Sequence, residues 1–173
     1  MKPEEYSWNE WERNRYINGD VKVPSDYKIK ITDIPEKRVE LETILEQLPH
    51  KEVARCAVEN ARNFIEDIES FADKESILEK TLNVFQQRLE GKKSAYQLRQ
   101  AGFLANTLSK RSTTDISKFA ARVYAQAIAS AHMRGHAMVS SDYAIKVIQL
   151  KDSKDLDRVR VERERQIALA RDF

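Results

Sequence analysis

His132 and His136 are the residues of this chain whose type and spacing come closest to a chemical site. On an unbroken helix, two histidines four positions apart share one face and can hold a metal ion such as zinc. The H-E-x-x-H motif of zinc proteases has that spacing. Here the residues between them are Met133, Arg134 and Gly135, so the glutamate that acts as general base is missing and Arg134 brings a positive charge. A third ligand would have to come from Asp142 or from an acid on another helix. The same residues also read as a helix junction. Gly135 then marks a break, and His132 and His136 bond backbone groups where one helix ends and the next begins. Ser140, Ser141 and Asp142 supply polar residues to the second helix, and Tyr143 opens its apolar stripe. With no complete ligand set, the junction is the expected role, and no catalytic, cofactor or metal residue is assigned.

No other stretch offers a complete constellation. There is no glycine-rich phosphate loop, no G-x-S-x-G elbow and no paired-cysteine zinc pattern. Cys56 is the only cysteine, which excludes an intramolecular disulfide. It stands beside an apolar stripe with no basic group placed to activate it, so a buried, inert thiol is expected. The net charge of +2 demands neither a nucleic acid nor an anionic membrane as partner. The N-terminus lacks the apolar stretch of a secretory segment, and no run is long and apolar enough to span a bilayer. A soluble, cytoplasmic protein is expected.

The elements that must position the histidines are helical. Only four glycines and four prolines interrupt 173 residues, and good helix formers dominate. Before His132, the residues Ile116, Phe119, Ala120, Val123, Ala127 and Ala131 recur at steps of three and four, and a second small stripe runs from Ala121 to Ala129. A helix coated with alanine on most sides is buried, because small side chains let neighbouring backbones approach. Tyr143, Ala144, Val147 and Ile148 repeat the pattern after the break, so two central helices are expected. Upstream, Pro35 opens a helix and Pro49 ends it. A continuous stripe from Val53 to Phe71 predicts one long helix over 50–72. Asp73 is placed to cap the next helix, which stops at Gly91. Ser94 caps the one after, and Gly102 within it implies a close helix crossing. Ser112 to Asp115 resembles a capping box.

The ends differ from the middle. Trp8 and Trp11 are three apart in a short helical stretch, expected to share one face and to dock it. Val21 to Thr32 alternates in the manner of a half-buried strand without an obvious partner, which predicts an extended arm or a minor hairpin. After Leu150 the chain is highly charged, with Arg158 and Glu162, and Arg160 and Glu164, spaced as on an exposed helix. A thin seam of Leu156, Val159, Ile167 and Ala170 predicts a loosely packed C-terminal helix. Acids between Glu66 and Glu79 read either as a surface for a basic partner or as a solvated face. The expected architecture is all-α: an irregular bundle of six to seven helices with an extended or minor β N-terminal arm, in a single domain. Its parts are an arm over 1–35, a helical core over 36–150 and a charged helix over 151–173.

The stretch AIASAHMRGHAMVSSDYAIKV, from Ala127 to Val147, resembles the signature of the immunity-five-like group of bacterial immunity proteins from polymorphic toxin systems. The residues that carry the resemblance are Ala131-His132, His136-Ala137 and Tyr143-Ala144-Ile145-Lys146. KEVARCAVENARNFI resembles the family's first core helix, Gly91 falls at its helix-ending glycine, and SAYQLRQAGFLANTLSK resembles the helix that follows. The likeness covers His50 to Leu150. Met138 and Val139 stand where proline or glycine often follows the His-Ala pair, and the first forty or so residues have no counterpart. The resemblance implies an all-helical fold and neutralisation of a cognate toxin by direct binding. It carries no catalytic residues, and it leaves the oligomeric state open.

Overall fold

A computed structural model describes residues 1–153 and 155–173. Its described residues form α1 (Pro3–Tyr6), α2 (Glu10–Ile17), α3 (Pro35–Gln47), α4 (His50–Arg62), α5 (Lys74–Leu89), α6 (Ala95–Arg111), α7 (Asp115–Ala129), α8 (His136–Lys151) and α9 (Leu156–Arg171), with a single 3-10 turn at Ile65–Asp67. The fold is all-helical, with more helices than expected and no strand among the described residues.

Helix α7 is the centre. It packs against α6 on one side and α8 on the other, with α4 across both α7 and α8. Ala120, Ala121, Val123, Ala127 and Ile128 have no measurable exposure, as the alanine coat requires. Tyr124 is the polar exception, and its hydroxyl donates to the Leu78 carbonyl at 3.0 Å and lies 2.9 Å from Thr81 Oγ1. Gly102 of α6 faces the Cβ of Ala129, 3.8 Å from where its own Cβ would stand. This is the close crossing its position implied. Gly91 closes α5 with φ +75°, in the left-handed region that a side chain would strain. Ser94 forms a full capping box with Gln97.

Several local elements differ from the sequence pattern. The helix over 50–72 ends at Arg62, although Phe64 and Ile68 beyond it are still buried. Three carboxylates, Glu66, Asp67 and Glu69, follow at its C-terminal end, where the helix dipole disfavours negative charge. Glu69 instead accepts from the backbone N–H groups of Thr113 and Thr114 and caps the approach to α7. The cap of α7 itself is Thr114, which accepts from Ser117, and Asp115 closes no capping box. Asp73 makes no side-chain cap and pairs with Arg111. With Asp67 bound to Lys151, half of the supposed acidic surface is engaged internally.

The N-terminal arm forms no hairpin, because no second strand is available to pair with it. Its backbone groups bond to side chains of the bundle instead. The Ser25 N–H donates to Glu42 and its carbonyl accepts from Arg38, while Gln149 donates to the Thr32 carbonyl. Trp8 and Trp11 do not share a face: Trp8 stacks on His50 at 4.5 Å, and Trp11 is 57% exposed.

Helix α9 is not loosely held. It packs on α3, α4 and α8, and Arg163 is wholly buried. Arg163 donates to Asp33 at 2.6 Å and to Asp142 at 2.7 Å, and Arg38 donates to Asp142 at 2.9 Å. Tyr27 lies over the Arg38 guanidinium at 4.1 Å and donates its hydroxyl to Asp33. Burial alone would raise the Asp33 carboxyl, but the bonds from Arg163 hold it below the usual carboxylate range. This buried network ties the arm, α3, α8 and α9 together.

Candidate functional site

The turn from Ser130 to Gly135, between α7 and α8, brings the singled-out residues together. Gly135 stands at the N-cap of α8, so the helix does break there. His136 is the first residue of α8, and its Nδ1 lies 2.6 Å from Gln126 Oε1. The His132 side chain makes no hydrogen bond among the described residues. The expected bonds from these two imidazoles to backbone groups are therefore not what holds the junction.

Other side chains carry that role. At the end of α7, His50 lies 2.6 Å from the Ser130 carbonyl, and Arg88 donates to the Ala131 carbonyl. His50 Nδ1 accepts the Trp8 N–H at 2.9 Å, so Nε2 must carry the ring proton and donate to Ser130. At the start of α8, the Glu12 carboxylate accepts from the N–H groups of Arg134 and Gly135, each at 3.0 Å. A carboxylate at a helix N-terminus meets both unpaired N–H groups and the positive end of the dipole. Arg134 is buried and folds back to donate to the Tyr6, Leu45 and Leu48 carbonyls, with its guanidinium 3.9 Å from the Tyr6 ring. The charge that disqualified the metal motif thus fastens the turn to α1 and α3. Glu12, His50 and Arg134 were missed. The one sequence signal was an arginine in an otherwise apolar and small-residue turn.

The metal geometry is incomplete. Both Asp142 oxygens accept from arginines, which removes the third ligand the sequence offered. Among the described residues no three histidine, cysteine, aspartate or glutamate side chains are grouped to hold an ion. Burial lowers the pKa of both His132 and His136, with Arg99 and Arg88 acting further on His132. Cys56 is buried, and desolvation pushes its thiol up to about 12.

Two concavities flank the turn. A cavity of about 370 Å³ lies under the arm, between Trp11, Leu45, Arg134 and Met138. An open groove of about 590 Å³ runs between α6 and α7 and ends at the turn, with His132, His136 and Tyr143 in its lining. Tyr143 packs against Phe119 at 5.9 Å, with Arg122 beside both rings.

The model of the Imm-5 like putative immunity protein family matches residues 43–172. This chain belongs to that family. The match takes in α4 to α9 and the C-terminal end of α3, and so includes the central pair, the turn and α9. It leaves out the arm whose Glu12 and Trp8 support the turn. No curated protein and no solved structure matches the chain. Among the described residues, no helix is long and apolar enough to cross a membrane.

Proposed function

We propose that this immunity-family protein neutralises a cognate bacterial toxin by binding it, in the cytoplasm and without catalysing a reaction. The family match carries this reading. The state of the buried polar groups supports it. His50 is occupied by two backbone groups, Asp142 by two arginines, and the Cys56 thiol is held protonated. A general base or nucleophile needs a free lone pair facing a substrate, and these groups do not offer one. His132, Gly135, His136 and Tyr143 act as structural and surface elements of the turn, holding no metal or cofactor.

Residues 1–173 act as one folding unit in this reading, since the ion network joins the arm to the C-terminal helix. The testing experiment expresses the product of the reading frame next to this chain's gene, the expected toxin, alone and together with this chain. Cells carrying both should grow, and cells carrying the toxin alone should not. Growth arrest that the chain fails to relieve counts against the proposal.

A further inference from the structure

One stripe of α6 carries Tyr96, Arg99, Phe103 and Asn106, spaced by three and four residues. The opposite face, with Leu98, Ala101 and Ala105, is buried. Tyr96 is 68% exposed and Phe103 59%. Aromatic rings left in water beside arginine are the composition of interface centres rather than of ordinary surface.

The groove described above runs along this stripe. Gly102 contributes bare backbone to it, and Ala125 and Ala129 contribute methyl groups. Arg99, Phe103, Arg122, His132 and Tyr143 rise around them. No carboxylate is among the described residues that line it, and neither arginine forms an ion pair there. Arg122 donates to Ser109 Oγ and lies over Phe119, which leaves its charge uncompensated. The residues that carry the family resemblance, His132, His136 and Tyr143, belong to this lining as well.

A groove with two uncompensated cations and an apolar lip fits an occupant that is both acidic and apolar. Nucleic acid fits less well. It calls for a basic stripe that tracks many phosphates, whereas this groove has two arginines in a chain of net charge +2. We propose that this groove receives the toxin, and that its occupant is a segment of that protein placing a carboxylate between Arg99 and Arg122 and an apolar side chain against Phe103. The proposal rests on the toxin-binding reading and adds the surface and the chemistry of the partner.

Two measurements on the full chain test it. In the first, amide resonances are followed while a short glutamate-leucine peptide is added, then its lysine counterpart, then a short single-stranded RNA. The acidic peptide should shift the resonances of Arg99, Phe103 and His132, weaken with added salt, and lose about tenfold in affinity in Arg99→Glu, a change of about 1.4 kcal/mol. Shifts confined to other surfaces, or tighter binding of the lysine peptide or the RNA at this groove, overturn the proposal. In the second, toxin protection is compared between wild type, Arg99→Glu, Phe103→Ala and Trp11→Ala. Arg99 and Phe103 are exposed, so their variants should fold with unchanged melting temperature. They should lose protection, while Trp11→Ala, an exposed aromatic on α2, should keep it. Protection that survives Arg99→Glu and Phe103→Ala removes the groove and leaves the toxin reading standing. A wild type that protects against nothing removes the toxin reading, and the peptide titration then decides the chemistry of the groove alone.

Discussion

Arg163 of α9 donates to Asp142 of α8 at 2.7 Å, and the two side chains are 0% and 2% exposed. The pair is the hinge of a network that also holds Asp33 and Arg38. Buried ion pairs add little net stability compared with apolar packing, but removing one partner leaves the other charge stranded. Arg163→Met should therefore destabilise the chain by about 3–5 kcal/mol, read as a fall in the urea midpoint. A change of less than about 1 kcal/mol, the size expected of an exposed pair, would mean that α9 is not sealed onto α8. Because the network joins the arm to α9, the unfolding of the wild type should also be a single transition.

At the α7–α8 turn, the carboxylate of Glu12 and the imidazole of His132 should behave oppositely. Glu12 accepts from Ser7 Oγ and from two backbone N–H groups. Glu12→Ala should cost about 2–3 kcal/mol, because buried donors lose a charged partner. His132→Ala should cost less than about 1 kcal/mol, because its half-buried ring makes no hydrogen bond among the described residues that the substitution would break. Thermal melts of the two variants, with and without a chelator, check both. A chelator that lowers the wild-type melting temperature would restore the metal reading of His132 and His136.

The stability of the chain should depend on pH through His50. Burial, reinforced by Arg134 and Arg88, pushes its pKa from the usual 6.5 down to about 4. Between those values the unfolded chain binds a proton that the native one refuses. The contribution of this site is therefore complete above about pH 6.5 and is lost as the pH falls toward 4, by about 3 kcal/mol at most. His50→Gln keeps a donor and an acceptor but does not titrate. Urea midpoints between pH 4 and 7 should fall less steeply for this variant than for the wild type. Equal slopes would show that His50 titrates normally.

The centre of the bundle should reject added volume. Ala127 has no exposure and lies on α7, between α6 and α8. Ala127→Leu should destabilise by about 1–3 kcal/mol, checked by thermal melting.

The legible parts of the sequence are those that short-range pattern controls. The alanine coat of α7, the Ser94 cap, the left-handed Gly91, the close approach at Gly102 and the break at Gly135 each follow from residues within a few positions of one another. The missed features join distant residues. Arg38 reaches Asp142, Arg163 reaches Asp33 and Glu12 reaches Gly135 across more than a hundred positions. Long-range polar pairing has no period, so Arg163 looks like any solvated charge on α9. The strand-like alternation of Tyr27, Ile29 and Ile31 is real, but pairing needs a neighbour, and side chains took the backbone groups instead. The histidine pair drew attention by its spacing, while His50, directly after Pro49, is the one that holds the turn.

Calorimetric titration of this protein against the product of the reading frame beside its gene separates stoichiometric binding from turnover. A saturable complex at a fixed molar ratio is expected, with toxicity abolished at that same ratio. Arg99→Glu should bind about tenfold more weakly. Toxin inactivated by far less than an equivalent of the protein, as turnover would allow, or toxin that fails to bind it at all, would contradict stoichiometric neutralisation.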